Sequence, residues 1–185
     1  MKKDICMNQA PTLQTDRLTL RATLKEDFEG SARLWADPDV VRYIGGQPSS
    51  RHDSWLRLLR LPGLWALVGY GYWTVIETQT GAFVGQAGLA DFQRELSIDI
   101  SGMPEAGWVF SPEFHGRGLA FEAMQAVLSW ADNDLRAERT CALIAPENAP
   151  SIRLAKKLGY GSMREGRLGE VETLVFYRER VQPSA

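Results

Sequence analysis

The chain has 185 residues, of which 44% are hydrophobic and 24% are charged, and its formal net charge at pH 7 is −2. We expect one folded domain over residues 1–185, with a flexible N-terminal stretch over residues 1–11, because this length and composition suit a single sizeable core. The slightly negative charge and the lack of a basic tract argue against nucleic acid as a partner, and no apolar stretch is long enough to span a bilayer.

Cysteine and histidine usage points away from disulfides and metals. Cys6 and Cys141 are far apart, and Cys141 lies in an apolar stretch, which favours a reduced, buried thiol. His52 and His115 are the only histidines, so the sequence has no Cys/His cluster with metal-ligand spacing, and we expect no metal. The first 14 residues lack the apolar run of a signal peptide, and we expect a cytoplasmic protein.

The first part of the chain predicts a strand followed by three helical segments. Asp37–Pro38 breaks the first helix, because proline cannot continue it. Ser50, with Asp53 three residues later, resembles a capping box that starts the third helix, which places Leu58 and Leu59 on its inner face. In order, these predicted elements are a strand over residues 13–22 and helices over residues 25–35, 40–44 and 50–62.

The second part alternates strands and helices. Two strands are joined by a hairpin-type turn at residues 78–81, and residues 93–103 are compatible with a strand or a loop. In order, the remaining elements are strands over residues 70–77, 83–91 and 105–110, a long helix to about residue 136, a strand over 140–145, a helix ending at Gly159, and a hairpin of residues 160–166 and 171–180. This order predicts an α/β fold, with a mixed, largely antiparallel sheet of about six to seven strands flanked on both faces by about four helices.

The most informative stretch joins the strand over residues 105–110 to the long helix through a glycine-rich loop. Gly116 and Gly118 let the backbone approach a ligand, and the first turn of the helix leaves N–H groups free for an anion. Arg117 adds a positive charge there. A simple tight turn would also explain the two glycines. Both nucleotide fingerprints fail, because Phe121 replaces the third glycine of the dinucleotide motif and the Walker lysine is absent.

A second stretch, residues 145–160, follows another apolar strand and opens a shorter helix near Asn148. Together with the glycine-rich loop and the opening residues 15–21, it resembles the acyl-CoA site of the GCN5-related N-acetyltransferases (GNAT family). Within that family it is similar to the subgroup that contains the bacterial ribosomal-protein N-terminal acetyltransferases. The resemblance covers about residues 12–180, with the motifs in the family's order. It implies a GNAT-like fold and direct transfer of an acetyl group from acetyl-CoA to a primary amine.

The resemblance also implies a cofactor site. The family loop reads Gln/Arg, any, any, Gly, any, Gly/Ala; here His115 departs from the first place. Backbone groups of this loop would hold the pyrophosphate, and backbone groups of Val109 and Phe110 would pair with the pantetheine arm, one N–H polarising the thioester carbonyl. Asn148 would bond the pantetheine, although it also suits a helix N-cap. The loop residues implied are His115, Gly116, Arg117, Gly118, Leu119 and Ala120.

The catalytic residues are less clearly marked. Glu105 shares one side of its strand with Val109 at period two, which favours it as the general base. Many relatives place a tyrosine, the donor to the leaving thiolate, where this chain has Ala155. Ser151 is the nearest hydroxyl and matches the subgroup, although it also suits the first turn of a helix. The runners-up for the base are Asp91, Glu95 and Asp99.

The acceptor is open. An α-amine of pKa ~7.8 is about 10% neutral at pH 7 and a lysine amine only about 0.04%, which favours an α-amine when the base is uncertain. The candidates are a protein N-terminus, as on a ribosomal protein, and a small molecule such as an amino acid, polyamine or aminoglycoside-like amine. We expect a monomer or homodimer. Ala155 keeps a second function open, a non-catalytic acyl-CoA-binding domain; a nucleotide-binding α/β protein is weaker because both fingerprints fail.

Overall fold

The computed structural model describes residues 9–181, and within them eight strands form one sheet in the order β1-β2-β3-β4-β5-β6-β8-β7. Neighbouring strands are antiparallel except β5 and β6, which are parallel. The strands are β1 (Leu13–Gln14), β2 (Leu18–Arg21), β3 (Tyr72–Glu77), β4 (Phe83–Ala90), β5 (Glu105–Phe110), β6 (Arg139–Ile144), β7 (Ser162–Leu168) and β8 (Val171–Glu179). The α-helices are α1 (Phe28–Ala36), α2 (Pro38–Val41), α3 (Arg51–Val68), α4 (Leu119–Trp130) and α5 (Ala149–Lys157).

The predicted α/β class and the largely antiparallel sheet are confirmed, and the helices pack on both faces. On one face, the apolar side of α4 joins the main core with inward residues of β3, β4 and β5, such as Val75, Leu89 and Phe110. On the other face, α1 and α2 form a smaller cluster around Val109 of β5. Because successive residues of a strand point to opposite faces, Val109 and Phe110 belong to different cores.

The sheet has eight strands instead of six or seven partly because the predicted strand over residues 13–22 is divided. The backbone N–H of Thr15 donates to the carbonyl of Leu18 at 2.9 Å, and the N–H of Leu18 donates to the Thr15 hydroxyl at 3.0 Å. These bonds turn the chain back on itself. The turn produces the short hairpin of β1 and β2.

Helix α3 continues past Pro62 to Val68, so the prediction that it ends at Pro62 is wrong. Proline removes one backbone hydrogen bond, but the last two turns bury Trp65, whose ring lies 4.7 Å from that of Trp73. Leu58 faces inward as expected, whereas Leu59 is 50% exposed and does not belong to the inner face.

The end of the long helix and the segment before β5 complete the fold. After Trp130 the chain makes a π-helical turn, Ala131–Leu135, in which the buried carboxylate of Asp132 accepts two hydrogen bonds from Arg178, at 2.6 and 2.9 Å. Residues 93–103 are mainly irregular, with one isolated bridge to β7. Cys141 is a free, fully buried thiol, as predicted, whereas Cys6 and most of the expected flexible stretch, residues 1–11, lie outside the described residues. Between residues 9 and 181, every helix is too short or too polar to cross a membrane.

Candidate active site

The two parallel strands at the centre of the sheet separate toward their carboxyl ends. Among the described residues, β5 and β6 pair at one position, Glu105 with Cys141, and the N–H of Cys141 donates to the carbonyl of Pro104 at 3.1 Å. Each strand is fully paired on its other side, β5 with β4 and β6 with β8. The sheet therefore contains a gap that widens toward Phe110 and Ile144.

The register of β5 decides which backbone groups face this gap. The N–H of Ser111 donates to the carbonyl of Val84 on β4 at 2.9 Å. In an antiparallel pair, alternate residues bond the same neighbour, so Val109 also directs its N–H and C=O at β4. The N–H and C=O of Trp108 and Phe110 point the other way, toward the gap.

The glycine-rich loop lies at the open end of the gap. Gly116 and Gly118 have φ angles of +72° and +77°, which L side chains rarely adopt, so the loop shape requires glycine. Gly118 is the N-cap of α4 and provides no side-chain cap. Within residues 9–181, the amides of 116–121 have no backbone or side-chain acceptor, and residues 115–118 are exposed. Six consecutive N–H groups at a helix N-terminus are a strong site for an anion.

Two side chains of the glycine-rich loop, His115 and Arg117, bond neighbouring strands and hold the loop in place. The Nε2–H of His115 donates to the carbonyl oxygen of Phe110 at 2.8 Å. Arg117 pairs with Glu77 at the end of β3, at 2.5 Å. Hydrogen bonds from Thr80 and from Arg117 lower the pKa of Glu77. The charge of Arg117 thus ties the loop to the sheet edge.

A second anchor comes from the opening motif of the chain. Glu122, in the first turn of α4, accepts hydrogen bonds from the Thr15 hydroxyl at 2.6 Å and from the N–H and Nε of Arg17 at 2.9 and 2.7 Å. Arg17 also donates to the carbonyl of Arg117 at 3.0 Å. Burial raises the pKa of Glu122, but the bonds from Thr15 and Arg17 outweigh it and lower the pKa overall. The negative charge next to the free amides is thereby neutralised.

The other wall of the gap ends in the N-terminus of α5. The side-chain oxygen of Asn148 accepts from the N–H of Ser151 at 3.2 Å, so Asn148 is an N-cap, as one of its two expected roles requires. Its amide NH₂ and the Ser151 hydroxyl have no hydrogen-bond partner in the described part of the chain, and both residues are half-buried. Ala155 is fully buried in the main core.

Glu105 lies at the closed end of the gap and is already paired. Its two carboxylate oxygens accept hydrogen bonds from Nε and Nη2 of Arg94, at 2.6 and 2.7 Å, and only 8% of its side chain is exposed. Burial is the largest single effect and lowers the pKa of Arg94, but the hydrogen bond to Glu105 and the charge of Glu105 together raise that pKa overall. Asp91 and Asp99 line the same 320 Å³ cavity as this pair but bond residues of their own loops.

The face of β5 that carries Glu105 and Val109 is covered by aromatic and cationic side chains. The Tyr72 hydroxyl lies against Gly107, so closely that a Cβ at Gly107 would be 1.9 Å from it. Burial and the nearby Glu105 raise the pKa of Tyr72, which keeps the phenol neutral. Beside it, the indole N–H of Trp35 donates to the Gln86 side chain at 3.1 Å.

Arg57 of α3 completes this face. Its guanidinium lies over the Trp35 ring, with Cζ 3.9 Å from the ring centroid. Its Nε is buried without a hydrogen-bond partner. Burial, followed by the nearby Arg60, lowers the pKa of Arg57. It is therefore a desolvated cation that no carboxylate of the described residues neutralises.

Sequence reasoning identified the loop, Asn148 and Ser151, which the structure brings to the open end of the gap. It missed Trp108, because the side of β5 that pairs with β4 depends on tertiary structure. Tyr72 and Arg57 were missed as well; the nearest signal was Gly107 in the middle of an otherwise bulky strand. Over residues 9–181, no three His, Cys, Asp or Glu side chains are grouped so that they could hold a metal ion.

Comparisons with known proteins agree with this geometry. Residues 17–161 match the family model described as the acetyltransferase (GNAT) domain. The Bacillus subtilis (strain 168) protein named uncharacterized N-acetyltransferase YnaD is 44% identical over 154 residues, covering 83% of this chain and 84% of its own. The acetyltransferase structure from Agrobacterium tumefaciens (strain C58) superposes with a TM-score of 0.76 and 27% identity, over 92% of this chain and 95% of that one. L-amino acid N-acetyltransferase AaaT of Escherichia coli (strain K12) is 25% identical over 144 residues, covering 77% and 82%.

The chain belongs to the GNAT family. It is an acetyl-CoA-dependent N-acetyltransferase, and its acceptor is an amine.

Proposed function

We propose that the protein moves an acetyl group directly from acetyl-CoA, held in the gap between β5 and β6, to a primary α-amine. The observation that carries this proposal is the run of unpartnered amides over residues 116–121 at the N-terminus of α4, of which residues 116–118 are exposed. Amides in this arrangement suit the diphosphate of coenzyme A, because they donate to oxygen without a competing intramolecular acceptor.

The gap suits the pantetheine arm. An extended chain lying along β5 would meet the N–H and C=O of Trp108 and the N–H of Phe110, whose C=O already accepts from His115, and would bond them like an added strand. One of these N–H groups would polarise the thioester carbonyl. The backbone of Val109 is directed at β4, so we assign the contacts with the pantetheine arm to Trp108 in place of Val109. The free NH₂ of Asn148 provides a further donor on the opposite wall.

When bound, acetyl-CoA supplies the acetyl group as a thioester; the amine nitrogen forms the new C–N bond, the C–S bond breaks, and the amine loses protons. Glu105 is the proposed proton acceptor, through lone pairs that its two bonds to Arg94 leave free. Ser151 is the proposed donor to the thiolate, because its hydroxyl has no competing partner between residues 9 and 181 and Ala155 has no polar group. A thiol of pKa ~8.5 leaves readily, so a weak donor suffices.

The acceptor is proposed to be an α-amine, since such an amine needs little help to lose its proton at pH 7. A protein N-terminus carries such an amine; a free amino acid also carries an α-amine, but its carboxylate makes that amine more basic, so it depends more on a base such as Glu105. The relative AaaT is named for amino-acid acetylation and supports the small-molecule acceptor. A non-catalytic acyl-CoA-binding role is the alternative that the assay below excludes or establishes.

The test is release of free coenzyme A thiol, followed with a sulfhydryl reagent, over a panel of amines that includes peptides, amino acids and polyamines. We expect amine-dependent release and a mass increase of one acetyl group on the acceptor. Binding of acetyl-CoA without release for any amine would make the chain a binding domain. Absence of binding at millimolar acetyl-CoA would contradict the proposed site as a whole.

A further inference from the structure

Arg57 is half-buried and has no carboxylate partner among the described residues. It lies on the inner edge of α3, its Nε is inaccessible and unbonded, and its flat guanidinium covers the Trp35 ring. The acid on the same helix is Asp53, whose carboxylate accepts a hydrogen bond from the Ser50 hydroxyl instead. A half-buried cation that has no anion beside it is unfavourable, and an anion bound at the guanidinium would remove that cost.

The position of Arg57 places that anion above β5. Arg57 covers Trp35, Trp35 bonds Gln86, and Gln86 is directly opposite Val109 in the β4–β5 register. Arg57 is therefore on the face of β5 that carries Glu105, Gly107 and Val109. Tyr72, whose hydroxyl lies on Gly107, is within electrostatic range of Arg57. This face is on the side of the strand opposite the α4 core.

Next to Arg57, no ion pair among the described residues neutralises the positive charge. Arg94 is neutralised by both oxygens of Glu105, and the Tyr72 phenol is neutral. On α3, the charge of Arg60 lowers the pKa of Arg57 more than the charge of Asp53 raises it, so Asp53 does not neutralise Arg57. The charge that remains is that of Arg57. Beside Arg57, a cationic group of the acceptor would be repelled and a carboxylate would be attracted, whereas Asp91 and Asp99 lie at the other end of the face, with Glu105.

We propose that the acceptor is a small α-amino acid, and that Arg57 binds its carboxylate while its amine is directed toward the gap between β5 and β6. The inference rests on the proposed function and specifies its substrate class. Arg57 thus discriminates between acceptors. The guanidinium presents a planar pair of donors that matches a carboxylate, and the Trp35 ring holds that plane in place.

The test compares L-amino acids with their own amides, such as alanine with alaninamide and phenylalanine with phenylalaninamide. Each pair has the same side chain and an α-amine, but only the acid has the carboxylate. The amide's amine is less basic and would be the better acceptor at pH 7 on reactivity alone. We expect the reverse, with kcat/KM for the preferred acid exceeding that of its amide by about 30-fold or more.

Variants assign this preference to Arg57. Arg57→Gln is expected to raise KM for the acid by about 30-fold, to leave the amide nearly unchanged and to abolish the preference. Arg57→Lys keeps the positive charge but loses the planar pair of donors, and it should retain part of the preference for the acid. The matched control is Arg60→Gln, an exposed arginine one turn further along α3, which should behave as the wild type. The wild-type comparison stands even if an Arg57 variant fails to fold.

The outcomes separate the two proposals. If amides, short peptides or spermidine are acetylated as well as or better than the acids, the amino-acid inference is overturned and the proposed function stands. Retention of the acid preference in folded Arg57→Gln would also overturn it. If no amine of any class is acetylated, the proposed function fails, and the inference fails with it.

Discussion

Gly118 is the residue on which the loop geometry most directly depends. Its φ of +77° is in the region that costs an L residue about 1–2 kcal/mol, and it immediately precedes the free amides of α4. We predict that Gly118→Ala lowers the free energy of unfolding by about 1–2 kcal/mol and raises the Kd for coenzyme A by about 10-fold or more, because a loop that relieves this strain turns its amides away. Thermal unfolding and isothermal titration measure the two effects.

The matched control is Gly81→Ala in the hairpin turn between β3 and β4. Gly81 has a similar φ of +72°, and a Cβ there would meet nothing within 4 Å, whereas at Gly118 it would be 3.8 Å from the Arg17 guanidinium, an ordinary contact. It should lose similar stability and keep its affinity for coenzyme A. Equal affinities in the two variants would show that the loop conformation at Gly118 is irrelevant to binding.

Glu105 is the proposed base, and its replacement separates chemistry from binding. We predict that Glu105→Gln lowers kcat at neutral pH by about 100-fold and leaves the Kd for acetyl-CoA nearly unchanged, because proton removal is lost and the backbone donors remain. Asp99→Asn, the same carboxylate-to-amide change on the neighbouring loop, should keep full activity. Equal activity of wild type and Glu105→Gln, or a loss confined to Asp99→Asn, would remove Glu105 from the mechanism.

The buried thiol of Cys141 should make the free energy of unfolding depend on pH. Burial raises the pKa of its thiol from 9.0 to about 12. The folded state then holds this proton more tightly than the unfolded chain, so its contribution to stability is complete below about pH 9 and is lost as pH rises toward 12. Between pH 9 and 10, the wild type should lose about 1 kcal/mol more than Cys141→Ala.

Denaturant unfolding at the two pH values measures this difference. The buried tyrosines titrate identically in both proteins, so they cancel in the comparison. Parallel slopes for the two proteins would show that the Cys141 thiol is accessible in the folded state.

At the scale of the element, strand β5 divides its backbone between two partners. Val109 is directed at β4, whereas Trp108 and Phe110 are directed at the gap. We predict that coenzyme A binding slows hydrogen exchange at the amides of Trp108, Phe110 and residues 116–121, because each gains an acceptor. The Val109 amide should be protected with and without ligand, and serves as the internal reference. Unchanged exchange at Trp108 on saturation would contradict the added-strand arrangement.

The same strand shows what could be predicted from the sequence. The loop conformation at Gly118 and the cap at Asn148 depend on neighbouring residues, so local patterns identified both. The backbone direction of Trp108 depends on which edge of β5 meets β4, a tertiary fact that alternation alone leaves open. Arg57 lies at the border of the buried face of α3. Because Leu59 was wrongly predicted to face inward, the predicted inner face of the helix did not include Arg57.

Helix α3 illustrates a further reason for such errors. Pro62 is a local stop signal, but the burial of Trp65 against Trp73 and Trp130 extends the helix by two turns. Tertiary packing of this size outweighs one lost hydrogen bond. The sequence of residues 93–103 has no clear hydrophobic periodicity, and the segment has little regular structure. It brings Arg94 to Glu105.

At the scale of the whole molecule, the fold concentrates free backbone donors at one place. The sheet is paired on both sides of the gap, the main core fixes α4 behind it, and the pairs Arg17–Glu122 and Arg117–Glu77 hold the loop at its mouth. The ligand that fits this arrangement has an extended arm and an anionic group, which coenzyme A has. The opposite face of β5, under α1 and α3, is where we propose that the amine binds.

The most direct measurement is isothermal titration of the protein with coenzyme A beside pantetheine, which lacks the diphosphate. If the amides of residues 116–121 hold the diphosphate, coenzyme A should bind with a Kd on the order of 10 μM and pantetheine at least about 100-fold more weakly. Equal affinity for the two ligands, or no heat of binding with coenzyme A at millimolar concentration, would contradict the account.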